Sequence, residues 1–458
     1  MVKFSGAILQ YPARVSVGWY LAFVGVGTVL LMLPACRVDQ AEPLGWIDAV
    51  FTATSATCVT GLTVRSTGFT FSIWGQLVIL LLIQLGGIGI MTVTTYAIFR
   101  FGRRADLHQR ALLTNTLGAE ATMDLRWVLR NVLRTTLLFE SIGFVVLAVR
   151  FAMEEPLGEA LWSAAFHSIS AFCNAGFALY DDSLTRYQDD WLVNGIIMLL
   201  IVIGGIGFPV LLDLKRKWRG SWFDCWERLS LHSKIMLIGT ASLLLLGFIV
   251  TFALEYDGVL DGMPWWQKIL VSMFYSVTTR TAGFNTVDTA ALTNATLFFT
   301  VVLMAIGAGP CSAAGGFKVS TMSILVLRAW ATFRGRVQVN VFRRTVAASV
   351  VERAMATAIL FLAVGVLALT TIVFLEQSAL PHVEGESTFL DALFEITSAL
   401  GTVGLSTGMT TRLSEPGRLI LVLLMFMGRL GPISVSLALS SGQRKKLVEY
   451  PQEDALIG

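Results

Sequence analysis

The chain has 458 residues, 55% of them hydrophobic and only 14% charged, with a formal net charge of +3 and a mean hydropathy of +0.70. Soluble domains carry about 25% charged residues, so this composition excludes a water-soluble globular protein and points to a polytopic membrane protein. Five scattered cysteines (Cys36, Cys58, Cys173, Cys225, Cys311) and four dispersed histidines give neither a disulfide framework nor a metal-ligand spacing, and no nucleic-acid partner is expected.

In chain order, residues 1–16 are mildly basic (Lys3, Arg14) and lack a cleavable signal pattern. The apolar run 17–36 leads to the stretch FTATSATCVTGL from Phe51, then to run 72–99, which contains Gly86, Gly87 and Gly89 and ends at Arg100, Arg103 and Arg104. That order recurs. Run 132–152 and acidic Glu154, Glu155 and Glu159 precede FHSISAFCNAGF from Phe166; run 191–212, with Gly204, Gly205 and Gly207, ends at Lys215, Arg216, Lys217 and Arg219. Run 235–254 precedes FYSVTTRTAGF from Phe274, and runs 294–308 and 318–331 flank a segment of small residues before Arg328, Arg334 and Arg336. Run 354–375 precedes FEITSALGTVGL from Phe394, and run 416–441 ends at Arg444, Lys445 and Lys446. The polar tail Val448–Gly458 is read as frayed or docked at a dimer interface.

Four copies more than a hundred residues apart are too long a period for a solenoid. They predict four units, 1–115, 116–228, 229–345 and 346–458, each a helix, a re-entrant pore loop and a second helix. The fold expected is an all-α polytopic membrane protein with these units in pseudo-fourfold arrangement around one pore. Most runs approach the ~20 residues that span a bilayer as helix, giving eight spans. The repeated stretches are too short and too broken by hydroxyls and glycine to span. A helix lying on the membrane surface would carry a charged face, which they lack. The unit-joining segments and termini hold most of the 34 Lys and Arg, which places them and both termini in the cytoplasm and brings the re-entrant stretches in from outside. The joins Arg100–Arg134, Lys215–Lys234 and Arg328–Arg353 also offer a basic surface to an acidic partner or anionic lipid.

Each repeat ends in a glycine: Gly61, Gly176, Gly283 and Gly404. The third copy is one residue shorter between its Phe and its Gly, and the copies are aligned on the glycine. A cation leaving water needs its hydration shell replaced by oxygens. Backbone carbonyls can do this where glycine permits unusual dihedrals. Val59-Thr60-Gly61, Asn174-Ala175-Gly176, Thr281-Ala282-Gly283 and Thr402-Val403-Gly404 are therefore the expected ion filter, with the negative ends of the preceding half-helices aimed at the ion. In the third unit, Ile306–Thr321 (IGAGPCSAAGGFKVST) is too rich in Gly and Pro to stay helical. At roughly 1.5 Å per residue, the helix from Asn294 reaches it near mid-membrane. Gly307, Gly309, Pro310, Ser312, Gly315, Gly316 and Lys318 are the expected gate, with Lys318 expected either to snorkel or to cap the loop. Arg429, in MFMGRLGPIS, interrupts an apolar run where an arginine costs about 2.5–3.5 kcal/mol on insertion scales. It is expected to face the pore, to hold the loop, or both. Gly86-Gly87-Ile88-Gly89, Gly204-Gly205-Ile206-Gly207, Gly307-Ala308-Gly309 and Gly428-Arg429-Leu430-Gly431 are read as one depth in each second helix. Close packing suffices to explain the first two.

These motifs, the GAGPCSAAGGFKVST insert and the MGRLGP arginine resemble the superfamily of K⁺ transporters that includes TrkH, KtrB and the fungal Trk proteins, over essentially the whole chain. Because the chain starts directly at the first unit, it is most similar to the KtrB branch. The resemblance implies K⁺ uptake through a channel-like pore, a K⁺ filter at the four glycines, an intramembrane gate at Ile306–Thr321 and a gating role for Arg429. It also implies a homodimer in the lipid bilayer of a bacterial cytoplasmic membrane, seated on a cytosolic octameric KtrA-type ring that binds ATP or ADP, with Na⁺ activating uptake. No cofactor is expected on this chain itself. The filter turns lack the TVGYG sequence of tetrameric K⁺ channels. An alternating-access, ion-coupled transporter, whose sites also form at broken helices, is the competing expectation. An enzyme is not expected, since no catalytic side-chain grouping is visible.

Overall fold

A computed structural model describes residues 12–38, 43–101, 125–218, 220–376 and 388–431. One pattern repeats: a long helix, a shorter buried helix, then a second long helix. The first set is α1 (Pro12–Leu31), α2 (Trp46–Cys58) and α3 (Ile73–Phe101). The second is α4 (Leu125–Phe151), α5 (Leu157–Phe172) and the pair α6 (Trp191–Ile206) and α7 (Phe208–Lys217), with the short α8 (Trp222–Arg228) after it. The third is α9 (Leu231–Leu254), α10 (Trp265–Thr278), α11 (Asn294–Ala305) and α12 (Val319–Phe333). The fourth is α13 (Ala348–Glu376), α14 (Thr388–Gly401) and α15 (Glu415–Leu430).

The short middle helices form the centre. In α2, Ile47 to Cys58 are buried almost without exception, and its Ala, Ser and Thr residues leave room for close neighbours. Phe51, Phe166, Phe274 and Phe394, which open the four repeats, are all buried. The long first helices lie outside. Trp127–Phe151, Leu231–Leu254 and Ala348–Glu376 are the three uninterrupted described helices long and apolar enough to cross a membrane. Only 11% of the apolar window of the last is buried, and Ile359, Leu362, Val366 and Leu367 point outward. Apolar surface on this scale suits lipid rather than water. The circle closes between the last and first sets, where Asp48 of α2 accepts from Arg418 of α15 at 2.7 Å and from Arg65 at 3.5 Å.

The structure differs from expectation in two places. The single span expected over 191–212 is two helices bent by 94° at Gly207. Gly207 has φ +99°, and the proline that follows in the first turn of α7 starts a new helix. The all-α expectation also needs one small addition. Asn340–Val341 pairs antiparallel with Arg344–Thr345 in the third basic join, turned by Phe342 and Arg343 at positive φ, the dihedral pattern of a tight hairpin. The basic residues Lys3, Arg103, Arg104, Arg110, Arg219, Arg444, Lys445 and Lys446, acidic Glu384 and Glu386, and the tail Val448–Gly458 lie outside the described residues.

Candidate functional site

The four repeats meet at their glycines. A Cβ built on Gly61 would lie 2.5 Å from the Ala175 carbonyl oxygen, one on Gly176 2.7 Å from that of Ala282, and one on Gly283 2.6 Å from that of Val403. On Gly404 it would strike the Thr60 carbonyl. Each glycine thus abuts the carbonyl just before the next unit's glycine, in the order one, two, three, four and back to one. The ring is too tight for any side chain at these positions. Their φ values, +99°, +70°, +79° and +94°, also disfavour every residue except glycine.

Two residues earlier the chain is left-handed again, at Val59, Asn174, Thr281 and Thr402, with φ between +52° and +69°. Three of these are β-branched, for which positive φ is an outlier costing on the order of 1–3 kcal/mol. The turns hold this strain through a hydroxyl near the end of each middle helix. The Ser55 hydroxyl accepts from the Gly61 N–H and that of Ser398 from the Gly404 N–H, both at 3.1 Å. The Ser170 and Thr278 hydroxyls donate to the carbonyls of Phe177 and Phe284. These four hydroxyls sit at the same distance from the opening Phe of each repeat, so this part of the motif aligns on the phenylalanine. The residue missing from the third copy falls after it. There the Ala282 N–H closes on the Thr278 carbonyl, four back, where Thr60, Ala175 and Val403 close on Ser55, Ser170 and Ser398, five back.

The donors around the ring are oxygens. The hydroxyls of Thr60, Thr281 and Thr402 are buried with no hydrogen-bond partner, that of Thr402 lying against Gly315 of the interrupted segment. The Asn174 side chain turns instead to α6, where Cβ atoms on Gly204 and Gly205 would be 2.9 and 3.4 Å from its amide group. Ala175, Ala282 and Val403 contribute only backbone. Carbonyl and hydroxyl oxygens without thiolate or imidazole suit a hard cation. On one side of the ring is a cavity of about 170 Å³ lined by all four glycines, by Asp181 and Asp288, and by Asn285 and Ser406. Two carboxylates at its wall favour cations there.

The interrupted segment lies on the other side. A Cβ on Gly315 would meet the Thr402 side chain and one on Gly316 the Gly401 backbone. The segment leaves α11 after Ala305 and re-enters helix at Val319, its ends tied by Gly307 N–H to the Phe317 carbonyl at 2.7 Å. Cys311 and Gly316 take positive φ. The helices that stop early supply its partners. The final carbonyls of a helix lack intrahelical donors; those of Gly204 and Gly205, left free where α6 bends, accept from Ala313 and Gly309, and that of Gly428 accepts from Gly316. Lys318 donates to the Ala314 and Gly315 carbonyls at 2.8 Å each, and Ser312 to that of Gly309 at 2.7 Å. Pro310 packs at the bend, its carbonyl 2.5 Å from where a Cβ on Gly207 would sit. Arg429, in the last turn of α15 and 2% exposed, donates to the Ala313 carbonyl and, at 2.9 Å, to that of Gly86; its Nε faces the Tyr20 hydroxyl at 3.4 Å. The loop thereby touches the second helices of the second and fourth sets directly and that of the first through Arg429.

The second-helix glycines are three alike and one different. Cβ atoms on Gly86, Gly204 and Gly428 would strike the carbonyls of Thr57, Phe172 and Leu400, each four residues before its ring glycine. Gly307 packs on Gly315 within the loop instead, just after α11 has ended at Ala305. Arg280 escaped the sequence reading. It is the only Lys or Arg in the four stretches, and that was the available signal. It is buried, and its Nη2 donates to the Gly307 carbonyl at 2.6 Å.

Residues 21–449 match the TrkH family, described as cation transport protein. The chain belongs to that family. It is 36% identical over 449 residues to Ktr system potassium uptake protein B of Bacillus subtilis (strain 168), covering 98% of this chain and 96% of that protein. It is 38% identical over 443 residues to the protein of the same name from Vibrio alginolyticus, covering 96% and 94%. Potassium/sodium uptake protein NtpJ of Enterococcus hirae is 33% identical, covering 98% and 97%. The crystal structure of the potassium transporter TrkH from Vibrio parahaemolyticus superposes with a TM-score of 0.72 at 18% identity, over 93% of this chain and 84% of that one. Membership in the family accounts for the helix, pore-loop, helix architecture and agrees with the lipid-facing outer helices.

Proposed function

We propose that this chain is the K⁺-translocating subunit of a Ktr-type uptake system in a bacterial cytoplasmic membrane, with both termini inside. Val59 to Gly61, Asn174 to Gly176, Thr281 to Gly283 and Thr402 to Gly404 form its filter. The segment from Gly307 to Lys318, held by Arg429, forms its gate. The four units are 1–115, 116–228, 229–345 and 346–458. The observation that carries this reading is the closed ring of glycine turns, each pressed on the next unit's carbonyl, in a family whose relatives at 36–38% identity are named potassium uptake proteins. Filter side chains differ from unit to unit, so discrimination rests mainly on carbonyls. The name of the Enterococcus relative, a potassium/sodium uptake protein, supports a part for Na⁺ in uptake, which we take to be activation. The relatives' description as parts of a Ktr system supports partner components; the resemblance extends these to a homodimer regulated by a cytosolic nucleotide-binding ring, with ATP or ADP bound there.

Proteoliposomes holding the purified full-length chain should take up K⁺ down its gradient with saturable kinetics, and added Na⁺ should raise the rate. Absence of K⁺ flux from well-reconstituted protein would overturn this reading. Ser55→Ala and Ser398→Ala each leave a buried ring N–H unpaired, worth about 1–3 kcal/mol. Both should raise the half-saturating K⁺ concentration several-fold with the protein still folded, as read from the same uptake assay and a melting curve. Wild-type K⁺ affinity in both would remove the hydroxyls from the filter's support.

A further inference from the structure

Three cationic side chains grip the loop under the ring, all through its carbonyls: Arg429 at Ala313, Lys318 at Ala314 and Gly315, and Arg280 at Gly307. Among the described residues no carboxylate pairs with Arg280, Lys318 or Arg429. Arg429 belongs to a second helix and Lys318 to the loop's own end. Arg280 stands immediately before the third filter turn, Thr281 to Gly283. It stands three residues before Gly283, where the other turns carry Cys58, Cys173 and Gly401. The shortened third turn sets it there, because the turn closes on Thr278 one residue sooner.

Arg280 is 5% exposed; its Nη2 donates to the Gly307 carbonyl, while its Nη1 is buried without an acceptor. Beside it is a void of about 20 Å³ lined by Ile201, Val202, Gly205, Thr240, Leu244, Arg280 and Ala308, the scale of a single water. Movement of the loop off the ring would pull on Gly307, whose N–H is tied to the Phe317 carbonyl at the loop's far end. A buried guanidinium cannot remain without an acceptor at little cost. The third turn therefore has to move when the loop does.

We infer that Arg280 is a positioning residue that couples the filter to the gate, so that the filter's affinity and selectivity for K⁺ differ between the loop's two positions. This rests on the pore reading given above. The coupling is reciprocal: an ion that favours one shape of the third turn must bias the loop by the same factor.

The test is uptake and K⁺-over-Na⁺ permeability in proteoliposomes for four full-length proteins: wild type, Arg280→Gln, a loop shortened by removing Gly309–Gly316, and both changes together. Arg280→Gln keeps a neutral N–H donor and removes the charge. It should raise flux about tenfold, the scale of losing a charged hydrogen bond, and shift the half-saturating K⁺ concentration. Shortening the loop alone leaves every filter residue in place, yet should alter the permeability ratio. Added to the shortened loop, Arg280→Gln should raise flux no further. An unchanged permeability ratio on shortening the loop would overturn the inference, even if Arg280→Gln fails to fold. So would equal effects of Arg280→Gln in both backgrounds, since the arginine would then act on the filter alone. Wild-type protein that conducts no K⁺ would overturn the pore reading itself, and this inference with it.

Discussion

Replacing a ring glycine with alanine should raise the half-saturating K⁺ concentration by at least about tenfold and reduce discrimination against Na⁺, with Gly404 the most severe position. Two costs add. A left-handed conformation disfavours an L side chain by about 1–2 kcal/mol, and 1.4 kcal/mol is already a factor of ten in binding. The second cost is contact with a backbone carbonyl that the reading above makes an ion ligand. At Gly404 the added Cβ meets the Thr60 oxygen more closely than the equivalent atom at Gly61, Gly283 or Gly176 meets its neighbour. The methyl group cannot be accommodated by rotating a side chain, so the carbonyl itself must turn away from the ion. Damage therefore passes to the next unit: Gly404→Ala should disturb the Thr60 carbonyl, and Gly61→Ala that of Ala175. Serine adds a hydroxyl to the same clash and should behave no better. Uptake kinetics over a range of K⁺ concentrations, with Na⁺ as competitor, measure this directly. Four alanine variants with wild-type affinity would take the glycines out of the filter.

The glycines were legible because a backbone demand repeated four times leaves a mark in sequence even when every neighbour changes. The acidic and basic flanks, the uninterrupted first helices and the breakdown of helix after Ala305 were legible for similar reasons, since each is a local property of composition. Partners across space were not. Nothing in the spacing of Gly86, Gly204 and Gly428 says that each packs on the end of a middle helix, and nothing around Arg280 says that its acceptor is Gly307, 27 residues on. Aligning the repeats on the glycine also hid the hydroxyls that align on the phenylalanine, because the one-residue gap lies between the two anchors. The bend at Gly207 was written in its Gly-Phe-Pro sequence. It was overlooked because the run from 191 to 212 is apolar throughout, and hydropathy is blind to a change of direction.

The loop and Arg429 carry the second large effect. Removing Gly309–Gly316 should raise K⁺ flux strongly, and Arg429→Met should do so by about ten- to a hundredfold, if the closed loop dominates at rest. The size follows from the contacts. Hydrogen bonds to charged groups are worth about 1.5–3 kcal/mol each, and Arg429 spends its guanidinium on the carbonyls of Ala313 and Gly86; losing even one such bond shifts a two-state equilibrium about tenfold or more. Two explanations of a rise in flux must be separated, release of the loop and removal of a positive charge beside the ion path. Arg429→Lys separates them. Lysine keeps the charge but replaces a planar fork with a compact ammonium on a flexible stem, which cannot bridge Ala313 and Gly86 in the same way. If the arginine acts as a latch, the lysine variant should conduct nearly as well as the methionine variant. If it acts only as a fixed charge, lysine should conduct like wild type. The loop's other ties argue for the latch. Its N–H groups at Gly309, Ala313 and Gly316 satisfy carbonyls that α6 and α15 leave bare where they end, so withdrawing the loop exposes those carbonyls and makes them available to water or to the ion. If the loop is the gate, as proposed, the helix ends it covers then become oxygen ligands along the ion path, and the broken helices that hold it line the route once it opens.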